Sequence, residues 1–225
     1  MSVARAGRRA ALAGAGLAVA LVVLAPYAVM VCTALKPEGE LRITPPRLTP
    51  IAWQPGNVAV VLGDPGFRRW LSASLVIALA STAIVVLAAT PAAYYTARHR
   101  FPGRSAFLLL VLVTQMFSPT ALVVGLYRQF FELGLVDTYA ALILTNAAFN
   151  LAFAIWILRA FFASIPREIE EAAAVDGCGR LRTLLQVVLP LSRPALVTAV
   201  IFAFIAAWNE YIVALTLMPD PTRSR

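Results

Sequence analysis

Apolar residues run along this chain in five long stretches separated by short clusters of charge, with no sign of the strict alternation that marks a half-buried strand. The stretches are Ala10 to Leu35, Trp70 to Ala97, Ser105 to Tyr127, Thr138 to Leu158 and Pro194 to Pro219, and only Glu210 in the last carries a charge. A helix rises about 1.5 Å per residue, so roughly 20 residues cross a hydrocarbon core of about 30 Å, and a helix satisfies its own backbone polar groups in lipid. The pattern therefore predicts an all-α integral membrane protein. Residues 1–225 form a single transmembrane domain with five spans, at about 10–35, 71–95, 105–126, 138–158 and 194–218. A membrane barrel would show alternating segments of about ten residues.

Composition agrees: 60% of the 225 residues are hydrophobic and only 13% are charged. Arg5, Arg8 and Arg9 before an Ala-rich run also fit a secretory leader, but the run is long for one and four more spans follow, which favours an uncleaved first helix. With the N-terminus in the cytoplasm, Arg98, Arg100, Arg104, Arg159, Arg167, Arg180, Arg182 and Arg193 join those three on the inner side. The remainder fall outside, in Lys36 to Arg69, at Arg128, and at Arg223 and Arg225. That bias follows the positive-inside rule, so the net charge of +8 reads as topology and lipid contact. No basic stripe with interleaved aromatics points to nucleic acid. Cys32 and Cys178 fall near opposite membrane faces, and neither they nor the lone His99 form a metal-ligating pattern.

The connections differ in character. Lys36 to Arg69 is Pro-rich, which disfavours regular helix and suits an ordered external loop, either a plain connector or a partner contact. Arg98 to Arg104 carries a Pro102-Gly103 turn signal, a compact inner hairpin. Within the third stretch Gln115, Ser118 and Pro119 interrupt the apolar run, and a proline there marks a kink or a cavity wall. The inner connection 159–193 is neither loose nor apolar enough to span. Pro166 suits a helix's first turn, Glu168, Glu170 and Glu171 suit the positive end of its dipole, Ala172, Ala173 and Ala174 are strong helix formers, and Gly177 ends or bends it. An acidic face opposite alanines suits docking into a protein groove better than lying on lipid.

Glu171-Ala172-Ala173, three residues, Gly177, nine residues, Val187, one residue and Leu189-Pro190 resemble the EAA loop of binding-protein-dependent ABC importer permeases, with Val187 in place of the usual Ile. The chain is also similar to the carbohydrate branch of that family, the second permease subunit of maltose-like systems. The matching pieces are Ala34-Leu35-Lys36-Pro37, Ala97-Arg98 with Phe101-Pro102-Gly103-Arg104, Gly134-Leu135-Val136-Asp137-Thr138, Phe161-Phe162 with Ile165-Pro166, Asp176-Gly177 and Trp208-Asn209-Glu210.

The resemblance implies a type I ABC importer transmembrane domain in the bacterial inner membrane. It implies partners: a homologous second permease subunit, two copies of a cytoplasmic ATPase and an external solute-binding protein. The 166–190 loop would couple to the ATPase through Glu171, Ala172, Ala173, Asp176, Gly177, Leu189 and Pro190. The chain contains no GxxxxGK[ST] loop, so ATP would be used by the partner, and no cofactor is expected on this chain. The imported solute would be a sugar or related polar organic molecule; a non-sugar solute is the alternative. Candidates for the translocation path are Gln115, Pro119, Asn150, Trp208, Asn209 and Glu210. A carboxylate inside a membrane span is a functional candidate, yet Glu210 fits equally an anchor near the outer interface or a partner-subunit contact, and Asn146, Asn150 and Gln115 fit polar glue between helices. The family carries a sixth helix after the fifth, which this sequence lacks, so an external C-terminus and a non-transporting scaffold are also expectations. A membrane enzyme would need convergent polar groups that one His and one intramembrane Glu do not supply.

Overall fold

A computed structural model describes residues 2–45 and 47–218; Pro219, Arg223 and Arg225 of the expectations above, and Pro46 within the Pro-rich segment, lie outside the described residues. All regular structure among the described residues is helical, and the chain divides into two compact units, residues 1–71 and 72–225.

The first unit begins with α1 (Ser2–Ala34), an apolar helix long enough to span, followed by the short α2 (Glu38–Leu41) and α3 (Gly56–Gly63). The Pro-rich segment is thus partly helical, contrary to the expectation, because three of its prolines fall at helix starts: Pro37 and Pro55 directly precede α2 and α3, and Pro65 opens the next helix. It is also cross-braced. Asn57 Nδ2 donates to the Ala34 and Lys36 carbonyls at 3.1 and 2.9 Å, and both oxygens of Glu40 accept backbone N–H groups, from Ile51 and Ala52. Lys36 is buried, its Nζ donating to the Arg47 carbonyl at 2.5 Å. These bonds satisfy polar groups that an irregular loop would leave open.

The helix α4 (Pro65–Arg98) starts in the first unit and continues into the second. There follow α5 (Arg104–Thr114), α6 (Pro119–Glu132), α7 (Tyr139–Ser164), α8 (Arg167–Val175), α9 (Arg180–Thr183), a widened turn at Leu184–Val188, α10 (Leu189–Leu191), α11 (Arg193–Trp208) and α12 (Ile212–Leu217). The core of the second unit sets large side chains such as Leu158, Phe162 and Leu217 among helix faces lined by small residues. Ala195, Ala199, Ala203 and Ala207 recur every fourth residue on one face of α11, which packs on α7, and Ala78, Val85, Ala89 and Ala93 line the buried face of α4. Without water to expel, helices in lipid associate by close packing, and alanine permits that approach. Buried hydroxyls are satisfied within their own helix: Ser81, Thr82 and Thr96 donate to carbonyls four residues back. Large apolar side chains such as Leu87, Met116 and Val124 point outward instead, as a lipid-solvated surface requires.

Two of the five expected spans are not continuous. Among the described residues, three helices are long and apolar enough to cross a membrane, or up to five spans if each bent pair is counted as one. The third stretch breaks between α5 and α6, with a 97° bend at Gln115 to Ser118. Pro119 has no N–H and opens α6 at its first position, where none is needed. The fifth stretch breaks at Asn209 to Tyr211, so α11 ends at Trp208 and α12 is a separate short helix packed with α6 and α7. The chain also bends by 81° where α10 meets α11.

Candidate functional site

At the end of α4, Tyr94 and Arg98 stand four residues apart and so share a face. That face meets α8. The Tyr94 hydroxyl donates to Glu170 Oε2 at 2.6 Å, and Arg98 Nε lies 2.5 Å from Glu170 Oε1. The Arg98 N–H does not point along that line, so the contact is Coulombic attraction more than a formed hydrogen bond. Arg98 Nη2 also donates to the Ile165 carbonyl at 3.0 Å, and Arg167 Nη2 returns a bond to the Arg98 carbonyl at 3.3 Å. Tyr94 packs edge-on against the buried Phe162 of α7. The Arg98 and Glu170 side chains are 8% and 17% exposed, so this pair is largely sheltered from water and screening.

The helix so mounted turns its other side outward. Ala173 is buried, one turn after Glu170 on the same face, while Glu171, Ala172, Ala174, Val175, Asp176 and Gly177 are exposed. The helix ends in a Schellman turn: Gly177 N–H donates to the Ala174 carbonyl at 3.1 Å, Cys178 N–H to the Ala173 carbonyl at 2.9 Å, and Gly177 takes φ +80°. A left-handed residue at this position favours glycine, as the sequence anticipates. Leu189 is half-buried against the core, whereas Pro190 is exposed. Pro190 has no N–H to return to the previous turn, and just before it the helix widens, Leu189 N–H reaching back five residues to Leu184. An open cleft of about 420 Å³ runs along the mount, lined among others by Tyr94, His99, Arg167, Glu171 and Arg180. It is a polar, mixed-charge surface next to an exposed helix end.

The expected path residues gather less well. Trp208 and Glu210 share a cavity of about 60 Å³ with Asn146, far below the roughly 300 Å³ or more of small-molecule sites. Gln115, Pro119 and Asn150 do not line it. Glu210, one residue before the N-cap Tyr211, accepts from the Val213 and Ala214 N–H groups at 2.8 and 3.0 Å, so its side chain caps the first turn of α12. Asn209 and Asn150 donate to carbonyls four residues back, at 2.9 and 2.8 Å, and Gln115 Nε2 meets the Phe149 carbonyl at 3.5 Å. Among the described residues no group of three or more His, Cys, Asp or Glu side chains is placed to hold a metal ion.

Sequence reasoning singled out Glu171 and passed over Tyr94, Arg98 and Glu170 as a unit. Two signals were present: a Tyr and an Arg four apart at the end of an apolar span, and Glu170 three residues before Ala173, which assigns both to one face of α8.

Residues 89–224 match the family model described as the binding-protein-dependent transport system inner membrane component. The chain is 36% identical over 189 residues to the sulfoquinovosyl glycerol transport system permease protein SmoH of Agrobacterium fabrum, covering 84% of this chain and 66% of that one. It is 39% identical over 166 residues to the trehalose/maltose transport system permease protein MalG of Thermococcus litoralis, covering 73% and 60%. The chain therefore spans less than two thirds of the length of these relatives. Its fold matches, at a TM-score of 0.81 and 25% identity, the crystal structure of a bacterial ABC transporter involved in the import of the acidic polysaccharide alginate, covering 98% of this chain and 78% of that one.

Proposed function

The chain belongs to the family of binding-protein-dependent transport system inner membrane components, and on that premise we propose that it is a permease subunit of an ATP-driven importer for a sugar or related polar organic solute. Its relatives in sulfoquinovosyl glycerol and trehalose/maltose transport systems support the carbohydrate assignment. In this reading it pairs with a homologous permease subunit, two copies of a cytoplasmic ATPase and an external solute-binding protein, in a bacterial inner membrane with its N-terminus in the cytoplasm. ATP is bound and hydrolysed by the partner.

The observation that carries the reading is the two-sided mounting of α8. One side is held to the end of α4 through Glu170, and the other offers Glu171, Ala172, Asp176 and Gly177 to solvent at a rigid turn. A helix built that way passes a push from an outside partner to a membrane helix. Glu171 supplies the polar contact to the ATPase, Ala172 the close approach, Asp176 and Gly177 the shape of the turn, Ala173 and Leu189 hold the loop on its own core, and Pro190 shapes the widened turn before α11. On the path side, Trp208 faces the solute and Glu210 keeps the break after α11 in shape; Asn150, Asn209, Gln115 and Pro119 shape the helices around it.

The test is ATP-dependent uptake of labelled sugars in vesicles carrying the chain with its partner subunits. Uptake by the native chain that is lost in Glu171→Lys, with the subunits still co-purifying, is the expected result. Uptake unaffected by Glu171→Lys would remove the coupling assignment, and absence of uptake for any sugar alongside uptake of another solute would move the substrate class.

A further inference from the structure

An apolar groove of about 370 Å³ lies between α4, α5 and α7, lined by residues that include Phe107, Val111 and Thr114 on α5 and Ala148, Ala152 and Ile155 on α7. Both linings are helical stripes, and both stripes end in arginine. Arg104 stands one turn before Phe107 on α5, and Arg159 one turn beyond Ile155 on α7. Arg104 contributes a like-charge repulsion at Arg159, and both residues are half-buried. Each Nε is withdrawn from solvent and meets no acceptor, and the same holds for the indole Nε1 of Trp156, over whose ring Arg159 lies at 5.7 Å. Among the described residues neither arginine has a carboxylate partner.

Two half-buried guanidinium groups with no acid beside them, each with its Nε withdrawn from water, favour an anion, since an unpaired donor out of water is costly. The neutralising group must be an anion that reaches the end of an apolar groove in a membrane protein. A carboxylic metabolite or free phosphate would fill only the arginine end and leave the groove open. An anionic glycerophospholipid fits both halves: its phosphate bridges the two guanidinium groups and one acyl chain lies along the alanine and phenylalanine stripe. A zwitterionic headgroup fits less well, because its ammonium would face two arginines and no carboxylate. Basic pockets between membrane helices hold anionic lipid headgroups in the same manner. We propose that Arg104, Arg159 and Trp156, with the groove beside Phe107 and Ala148, form a specific binding site for an anionic phospholipid such as phosphatidylglycerol.

The full chain, purified with its partner subunits in mild detergent, is examined by native mass spectrometry after incubation with phosphatidylglycerol, phosphatidylcholine or inorganic phosphate. The expected result is one phosphatidylglycerol retained per chain, with retention reduced about tenfold or more in the Arg104→Gln, Arg159→Gln double variant. Phosphatidylcholine and inorganic phosphate are not retained comparably. Ala148→Phe, an exposed position that fills the groove without touching the arginines, also lowers lipid retention, and an unchanged melting profile shows that the fold survives. Equal retention in the native chain and both variants overturns the site. So does protection by inorganic phosphate as strong as by the lipid, or a finding that an acidic segment of a partner subunit occupies the arginines and no lipid is held. None of these readouts depends on transport, so they stand apart from the uptake test.

Discussion

Glu170 lies inside the short amphipathic α8 and Glu210 just beyond the apolar α11, and the molecule employs these two carboxylates in opposite ways. Glu170 reaches out of its own helix and joins α8 to Tyr94 and Arg98 of α4. Glu210 turns back on its own segment and caps α12 with two backbone bonds. The first holds separate elements in register, so its loss is felt in how one part moves another. The second fixes a local break, so its loss is felt within a turn or so. Residue type alone does not distinguish them; the partner does.

Several substitutions separate these roles, beginning with the largest effect. Glu170→Ala leaves Arg98 sheltered and unpaired, and removing one member of such a pair costs about 3–5 kcal/mol. The expected outcome is faster tryptic cleavage at Arg167, Arg180 and Arg182 and loss of ATP-dependent uptake. Partial recovery in the exchanged pair Arg98→Glu with Glu170→Arg would tie the effect to the ion pair. Should proteolysis and uptake both stay normal, the mount is not what holds α8. Tyr94→Phe keeps the ring against Phe162 but removes a hydrogen bond to a charged group, worth about 1.5–3 kcal/mol. A graded loss of coupling, with ATP hydrolysis continuing at lower uptake, is expected there.

Gly177→Ala places a Cβ in open space, so its cost is backbone strain alone, about 1–2 kcal/mol at φ +80°. Weakened pull-down of the ATPase subunit by an otherwise well-inserted chain is the measure; Gly177→Asn should weaken it less. Smallest of all, Glu210→Gln removes a charged cap worth about 1 kcal/mol. Hydrogen exchange should rise at Val213 and Ala214 and nowhere on α8. A large change in the concentration dependence of uptake instead would mean that Glu210 meets the solute directly and the contrast with Glu170 is overstated.

Much of this arrangement is legible from residue order because lipid imposes a strong rule. Five apolar stretches follow from the need for about 20 residues per crossing, and Gly177 follows from the end of an alanine-rich helix. The breaks were harder to see. Average hydropathy is blind to an interruption at Gln115 to Ser118, since apolar residues flank it on both sides; Pro119 marked a kink but not a bend of 97°. The apolar pattern alone merges the short α12 with α11, because the Glu210 carboxylate looks like an intramembrane charge until its two backbone partners are known. The mount was the least visible, since Tyr94 and Glu170 are 76 positions apart and only the packing of α4 near α8 brings them together.

Lys36 carries a practical consequence. It is the sole lysine of the chain, and its ammonium is buried and bonded to the Arg47 carbonyl. Reagents that acylate side-chain amines therefore have one target here, and it is shielded, while the remaining basic residues are arginines they do not touch. Amine-directed cross-linking or dye labelling of side chains should therefore be weak across these 225 residues, with the α-amine the more reactive target, and thiol chemistry at Cys32 or Cys178 is the better handle for following it.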